Sequence, residues 1–422
     1  MSLQHTGPLP LAPASPFPAR IASEPREAPR AAASRAAIPA PLFTVDRLEG
    51  VDCAGHRDAW VDLVGRALEP NPFLDPDFAL PAAQHLSGRR RPCFALVWAE
   101  DGAGRRDLVA VCPIVAGLGP LRGLASAWLH DLSTLGLPLL DRDRADAALS
   151  ALLAWAGTAL RGASGLLVPS LPADGPTAAA LRRVAAKRGL DLAVLATWER
   201  AALRRGDPAD LAAPSARGAK ELRRQRRRLA ERGALAFASA EAAADLRSEV
   251  ERFLSLEAGG WKGAAGTAML SSSGRTAFLR TAVRMLARRG LCRIDSLTLD
   301  GAPVAMAVTL RAGDAEFLWK IAYREDVARC SPGVLLVLDL TEAQRRSGRA
   351  AAVDSCAVPD HPMIDRLWGG RIRLCDVAVA LEPRRGPAFH RAVAVERGAR
   401  RLRAGVKRMV LGWRARRARR AG

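Results

Sequence analysis

The chain contains a single tyrosine, Tyr323, and only five lysines, so almost all of its positive charge is arginine. Base composition of the genome produces that bias as readily as recognition does, and no arginine-specific ligand is read from it. No apolar run reaches the roughly 18 residues that a membrane-spanning helix needs. The first residues lack a basic stretch followed by an apolar one, which argues against a secretory signal. The seven cysteines (Cys53, Cys93, Cys112, Cys292, Cys330, Cys356 and Cys375) are odd in number and never spaced as CxxC. That pattern argues against a structural zinc site and fits reduced thiols in a cytosolic protein. Acids are nearly missing from the end of the chain: 383–422 holds 14 Arg/Lys and one acid, Glu396.

What is present is a chain of 422 residues, 49% hydrophobic, long enough for two domains with sizeable cores. The net charge of +21 is concentrated in the end of the chain and in 217–232, where eight basic residues face Glu221 and Glu231. Localised charge of this kind points to an acidic partner: anionic lipid, nucleic acid or a polyanionic substrate.

Residues 1–41 are rich in Pro, Ala, Ser and Arg without hydrophobic periodicity and read as a disordered leader. A transit-like presequence is the rival reading, opposed by Glu24, Glu27 and the many prolines. Residues 42–205 alternate helical and strand patterns, including a hairpin signal at Asp101-Gly102-Ala103-Gly104. Residues 206–383 repeat a similar order after a strongly basic helix over 216–232, which is either a solvated connector or an anion-binding element. The end, 384–422, reads as a basic helix with Leu402, Val406, Met409, Val410 and Trp413 on one face. It either lies on an anionic membrane surface or packs on the domain as a final helix.

One stretch organises the second half. Residues 315–323 read as a strand, and Ser331-Pro332-Gly333 as the start of a helix running to Gly348. A helix start with free N–H groups and little side-chain bulk can bind an anion, so Arg329, Ser331, Gly333, Val334 and Leu335 are candidate anion-binding residues. The bland alternative is an ordinary strand-loop-helix packing unit.

The motifs Leu256-Glu257-Ala258-Gly259-Gly260-Trp261-Lys262-Gly263, Trp319-Lys320-Ile321-Ala322-Tyr323, Ser331-Pro332-Gly333, Asp354-Ser355-Cys356-Ala357, Asp360-His361-Pro362 and Trp368 resemble the CelD-like branch (cellulose biosynthesis protein, BioF2-like) of the GNAT superfamily over about 210–382. Asn71-Pro72-Phe73 also resembles this branch. The resemblance implies an α/β (α+β) fold of tandem GNAT-like lobes, as in FemAB-type proteins, with mixed, mostly antiparallel central sheets flanked by helices. It further implies a degenerate first lobe over 42–205 and an acyltransferase lobe over 206–383.

Its implied activity is acyl transfer from acetyl-CoA or another acyl-CoA, without a metal, to an amine or hydroxyl in exopolysaccharide, cellulose or envelope biosynthesis. The implied acceptor is a small molecule, glycan or lipid, and the implied place is the cytoplasm, at the inner membrane surface or away from it. The 329–333 loop departs from the usual GNAT loop, with one glycine and a proline that removes a donor. Two other functions therefore stand beside it: a FemAB-like transferase using aminoacyl-tRNA, favoured by the basic 217–232 helix, and an inert membrane-associated scaffold of a polysaccharide synthase.

For acid–base work the candidates are Tyr323, Asp354 and His361, with Glu325, Asp326 and Asp360 nearby. Tyr323 is either a proton donor to a leaving thiolate or a packing residue. Asp354 is either a base in a cleft or the partner of His361 or an arginine. Trp261, Lys262, Trp319, Lys320 and Asp326 are the candidate substrate-binding residues. Strict alternation along the strand points Lys320 away from Trp319 and Ile321, into the cleft or into solvent. Cys356 as a nucleophile is the least favoured alternative.

Overall fold

The computed structural model describes residues 41–88, 91–116, 123–207, 210, 216–383 and 386–421, all within the unit formed by Ala40–Gly422. The expected leader at 1–41 lies outside the described residues except for its last position. In chain order the elements are β1 (Leu42–Glu49), α1 (Arg57–Gly65), α2 (Pro76–Leu86), β2 (Cys93–Glu100), β3 (Arg106–Val115), β4 (Leu124–Ala127), β5 (Leu139–Leu140), α3 (Ala145–Ala159), β6 (Gly165–Pro172), α4 (Pro176–Arg188) and β7 (Leu192–Arg204). The second half holds α5 (Ala216–Ala230), β8 (Leu235–Ala240), α6 (Ala243–Ala258), α7 (Trp261–Ala264), α8 (Ser273–Ala287), β9 (Cys292–Leu299), β10 (Ala302–Ala312), β11 (Ala315–Tyr323), α9 (Pro332–Ser347), β12 (Ala352–Asp354), β13 (Gly370–Ala380) and α10 (Gly386–Ala421).

The strands join in one mixed sheet, ordered β1-β2-β3-β4-β6-β13-β7-β12-β11-β10-β9-β8, with β5 added against β3. Pairing is antiparallel except at two places, β4 with β6 and β11 with β12. Both parallel pairs are bridged by a helix, α3 in the first half and α9 in the second, because parallel neighbours need a crossover. The last strand, β13, lies between β6 and β7 and binds both, so the end of the chain completes the sheet of the first half. The sheet with its flanking helices is the mixed, mostly antiparallel architecture expected from the sequence.

Local chemistry sets the ends of the elements. Asp75 caps α2 by accepting from Asp77 N–H at 2.9 Å, with Pro76 in the first turn. Gly348 ends α9 in the left-handed conformation that a glycine adopts without a Cβ clash. The glycine-rich segment 257–263 forms the last turn of α6 and most of the single turn α7. β7 runs on to Arg204, further than hydropathy indicates, because it is covered along that length by β12 and β13.

An aromatic cluster fastens the first half to the second. Phe78 meets Phe278 of α8 edge to face at 5.0 Å and Trp319 of β11 at 5.4 Å. Phe73 meets Phe317 at 6.1 Å, and His130 stacks on Phe78 at 6.0 Å. Such geometries add to the energy of area burial. Asn71 holds the chain here, accepting from Phe73 N–H and donating to Leu137 O at 3.1 Å each. The Asn71-Pro72-Phe73 motif is thus a packing device at this seam.

Candidate active site

β11 and β12 pair over only three positions, Ala315 with Ala352, Glu316 with Val353 and Phe317 with Asp354. Beyond them the strands part. Ser355 N–H turns to Ala201 O of β7, and Cys356 takes a left-handed conformation with φ 53°. A non-glycine residue there is strained, which is how the chain leaves the sheet at this point. The gap opens into a cavity of about 610 Å³, lined on one side by Leu318 to Tyr323 and on the other by Ser355 to Val358. Its ends are formed by Trp261 and Lys262 of α7, by the start of α9, and by 361–364.

β11 is not a regular strand where it borders the cavity. Val308 pairs with Lys320 and Thr309 with Leu318, so Trp319 is an extra, bulged residue. The bulge breaks the alternation expected from the sequence. Lys320 does not point away from Trp319: its ammonium lies over the indole, 5.7 Å from the ring centroid. Trp319 Nε1–H donates to Leu132 O at 2.7 Å, which fixes the ring.

Lys262 reaches across to β11. Its Nζ donates to Glu257 at 2.8 Å and to Ile321 O at 3.1 Å. Glu257 is buried and also accepts from Met269 N–H at 2.8 Å. Lys320 has no such partner among the described residues. Burial first, and then the neighbouring Lys262, bring its ammonium down to about 8. Trp261 stands exposed at the mouth of the cavity.

Two proton-carrying groups line the opposite end. Burial first and Glu325 second hold the Tyr323 phenol above its usual range, so it is protonated at neutral pH. His361 Nδ1 accepts from Met363 N–H at 3.3 Å and Ile364 N–H at 3.5 Å, which leaves the ring proton on Nε2. A methyl group at Gly333 would sit 3.6 Å from Tyr323 Cδ1 and 3.8 Å from Met363 Sδ, so the helix start touches both walls.

That helix start is poor in donors. Ser331 precedes the helix in the left-handed conformation at φ 49°, and its side chain makes no cap. Pro332 has no N–H, and Val334 and Leu335 N–H donate to Ser331 O at 3.0 and 3.1 Å. The N–H of Gly333, which lines the cavity, is left.

The cavity thus gathers Tyr323, His361, Ser331, Gly333, Val334, Trp261, Lys262, Trp319 and Lys320 from the residues singled out in the sequence. Four others lie off it. Leu335 is buried in the core under α9. Arg329 is exposed, and Asp326 is exposed and accepts from Arg324 Nε at 2.6 Å. Asp354 is buried and paired to Arg200 of β7 at 2.5 Å, while its other oxygen accepts from Cys356 N–H at 2.9 Å. Of the partners considered for it, the arginine is the one found. Cys356 lines the cavity, but burial and then Asp354 push its thiol up to about 12, so it is no thiolate at neutral pH.

Two participants carry no sequence signal of their role. Glu257 sits inside a quoted motif, yet only the turn into α7 brings Lys262 onto it. Arg200 lies 154 residues from Asp354 in an unremarkable strand.

Residues 216–357 match the family described as the acetyltransferase (GNAT) domain. No curated protein matches the chain. Three solved structures resemble it at low identity. The C-terminal domain of a candidate lysylphosphatidylglycerol synthetase from Agrobacterium fabrum is 16% identical, with 82% of this chain and 96% of that one covered and a TM-score of 0.48. FemX is 11% identical over 76% of this chain and 95% of its own, with a TM-score of 0.49. A tandem GNAT protein from the clavulanic acid biosynthesis pathway is 18% identical over 81% and 99%, with a TM-score of 0.40. At these values the likenesses say nothing about substrate. Both of the parting strands lie inside the residues that match the acetyltransferase (GNAT) domain family.

Proposed function

We propose that the gap between β11 and β12 takes the acyl-bearing arm of acetyl-CoA or another acyl-CoA, and that the chain transfers the acyl group to an amine or hydroxyl. The observation that carries this reading is the parting of two parallel strands directly in front of the α9 start. Strand edges that part in this way offer backbone groups to an extended, amide-containing chain. In the reaction the acceptor nitrogen or oxygen bonds to the acyl carbon and the carbon–sulfur bond breaks. The leaving thiolate takes a proton from Tyr323, and the proton lost by the acceptor passes through solvent to the tyrosinate, which restores the phenol. Because α9 offers little more than Gly333 N–H, the donor's phosphates fall to exposed Arg329 and to the arginines of α5, which packs beside 325–330. The CelD-like placement, and with it an acceptor in exopolysaccharide or envelope biosynthesis, belongs to this proposal.

Titration calorimetry with acetyl-CoA tests it. Wild type binds one equivalent. Gly333→Ala, whose methyl meets only ordinary contacts, keeps binding within about threefold. Gly333→Glu fills the cavity with a like-charged group and abolishes binding. A folded wild type that takes up no acetyl-CoA sinks the reading.

A second reading keeps aminoacyl-tRNA as donor, favoured by the exposed Arg223, Arg224, Arg227 and Arg228 on α5. Salt-sensitive tRNA binding that survives removal of 383–422 supports it. We also place α10 on an anionic membrane surface. Its first turns pack through Phe389, Ala392 and Val393, whereas Leu402, Val406 and Met409 are exposed on one face. No acid follows Glu396, so a second copy of the helix is repelled and an anionic surface attracted.

A further inference from the structure

Lys320 is a half-buried cation that lines the cavity and has no counter-ion of its own among the described residues. The charged groups around it come from every element packed there. Glu257 and Lys262 belong to α6 and α7, and they satisfy each other at 2.8 Å. Asp131, on the segment after β4, is paired with Arg275 of α8. His130, on the same segment, is held neutral by burial, its imidazole brought down to about 4. Cys356, across the gap, keeps its proton. Three cations therefore face two carboxylates, both carboxylates are taken, and the remaining positive charge sits on Lys320 Nζ.

Among the described residues Nζ makes no hydrogen bond, and its contact is the Trp319 ring. A half-buried ammonium with an aromatic face and no hydrogen bond to the protein has its three donors open toward the cavity for a ligand. The bulge at Trp319 is what turns this amine into the cavity rather than away from its neighbour.

We propose that the acyl acceptor carries an anionic oxygen group, a carboxylate or a phosphate, beside its nucleophile, and that Lys320 receives that group. This deepens the transferase reading and rests on it for the word acceptor, but not for the anion site. Lys262 does not compete for the role, because its three donors are committed to Glu257 and Ile321 or lie against Trp261. An anion bound at Nζ holds the proton on the amine. Affinity for it then falls as pH rises above about 8, until the bound amine itself deprotonates.

The first measurement needs no acyl donor. With five lysines in the chain, the Nζ signals of isotopically labelled lysine can be resolved and assigned by Lys320→Met. In the intact protein Lys320 titrates near 8, and saturating acetate or inorganic phosphate moves its midpoint upward. The anion with the larger effect identifies the group. A midpoint that neither anion moves overturns the proposal.

The second measurement is acetyl transfer from acetyl-CoA to matched acceptors: glycine against glycinamide, and phosphoethanolamine against ethanolamine. Wild type prefers one charged member by about 10–100-fold in kcat/KM, the worth of a charge-assisted hydrogen bond. Lys320→Met lowers that ratio to near unity. Equal use of charged and neutral acceptors by wild type, or equal loss of both in the variant, overturns it. Absence of transfer to all four acceptors counts against the transferase reading, and the lysine titration still decides the anion site.

Discussion

Asp354 was a candidate base from its place in an apolar strand, and its partner explains why a carboxylate is tolerated there. Arg200 meets one oxygen, the Cys356 N–H meets the other, and Arg200 spends another donor on Thr134 O at 3.1 Å. The pair pins the strand just where β12 leaves β11. Removing one member leaves the other buried and alone, which costs about 3–5 kcal/mol. We therefore expect Asp354→Asn to lower the denaturant midpoint strongly, and the double change Arg200→Met with Asp354→Leu to recover most of that loss. A variant that loses turnover at unchanged stability would return Asp354 to the catalytic list. Tyr323 and His361, by contrast, line the cavity, and the Tyr323 phenol is held above its usual range by burial and Glu325.

At the scale of elements, the site depends on two irregularities. One is the bulge in β11, which places Trp319 and Lys320 together. The other is the left-handed Ser331, which starts α9 without a cap and leaves its first turn toward the cavity. Neither follows from hydropathy, because a bulge and a positive φ are chosen by neighbouring strands and helices. α10 is the opposite case, since its amphipathic face is plain from spacing alone. Full burial of an apolar side chain is worth about 1.5–3 kcal/mol, and each basic residue near an anionic surface about 1 kcal/mol. We expect the protein to sediment with vesicles containing phosphatidylglycerol and not with phosphatidylcholine alone. Leu402→Asp together with Met409→Asp should release it, with acetyl-CoA binding intact. Retention by neutral vesicles, or indifference to the double change, would remove the membrane from the account.

At the scale of the molecule, one sheet runs through both halves and the aromatic seam closes them on each other. His130 sits in that seam as a neutral ring, stacked on Phe78 and 4.7 Å from Trp128. Its imidazole is held well below the ordinary range, mainly by burial, at about 4. A base with a lowered folded pKa binds protons in the unfolded chain first. Stability is therefore lost as pH falls from about 6.5 toward 4. Melting temperatures across that window should drop more steeply for wild type than for His130→Phe. Equal slopes would show that His130 does not couple the seam to pH.

The fold class was legible because helical and alternating periodicities are local, and so were the helix start at 331–333 and the stripe on α10. Most of the quoted motif Trp319-Lys320-Ile321-Ala322-Tyr323 lines the cavity because one wall is a single strand. Tertiary structure alone decided the rest. It placed β13 between β6 and β7, gave Asp354 to Arg200, committed Lys262 to Glu257 and left Lys320 without a hydrogen-bond partner among the described residues. Each of these depends on which distant segments meet in the sheet, and a charge's role is set by whether the fold brings it a counter-charge.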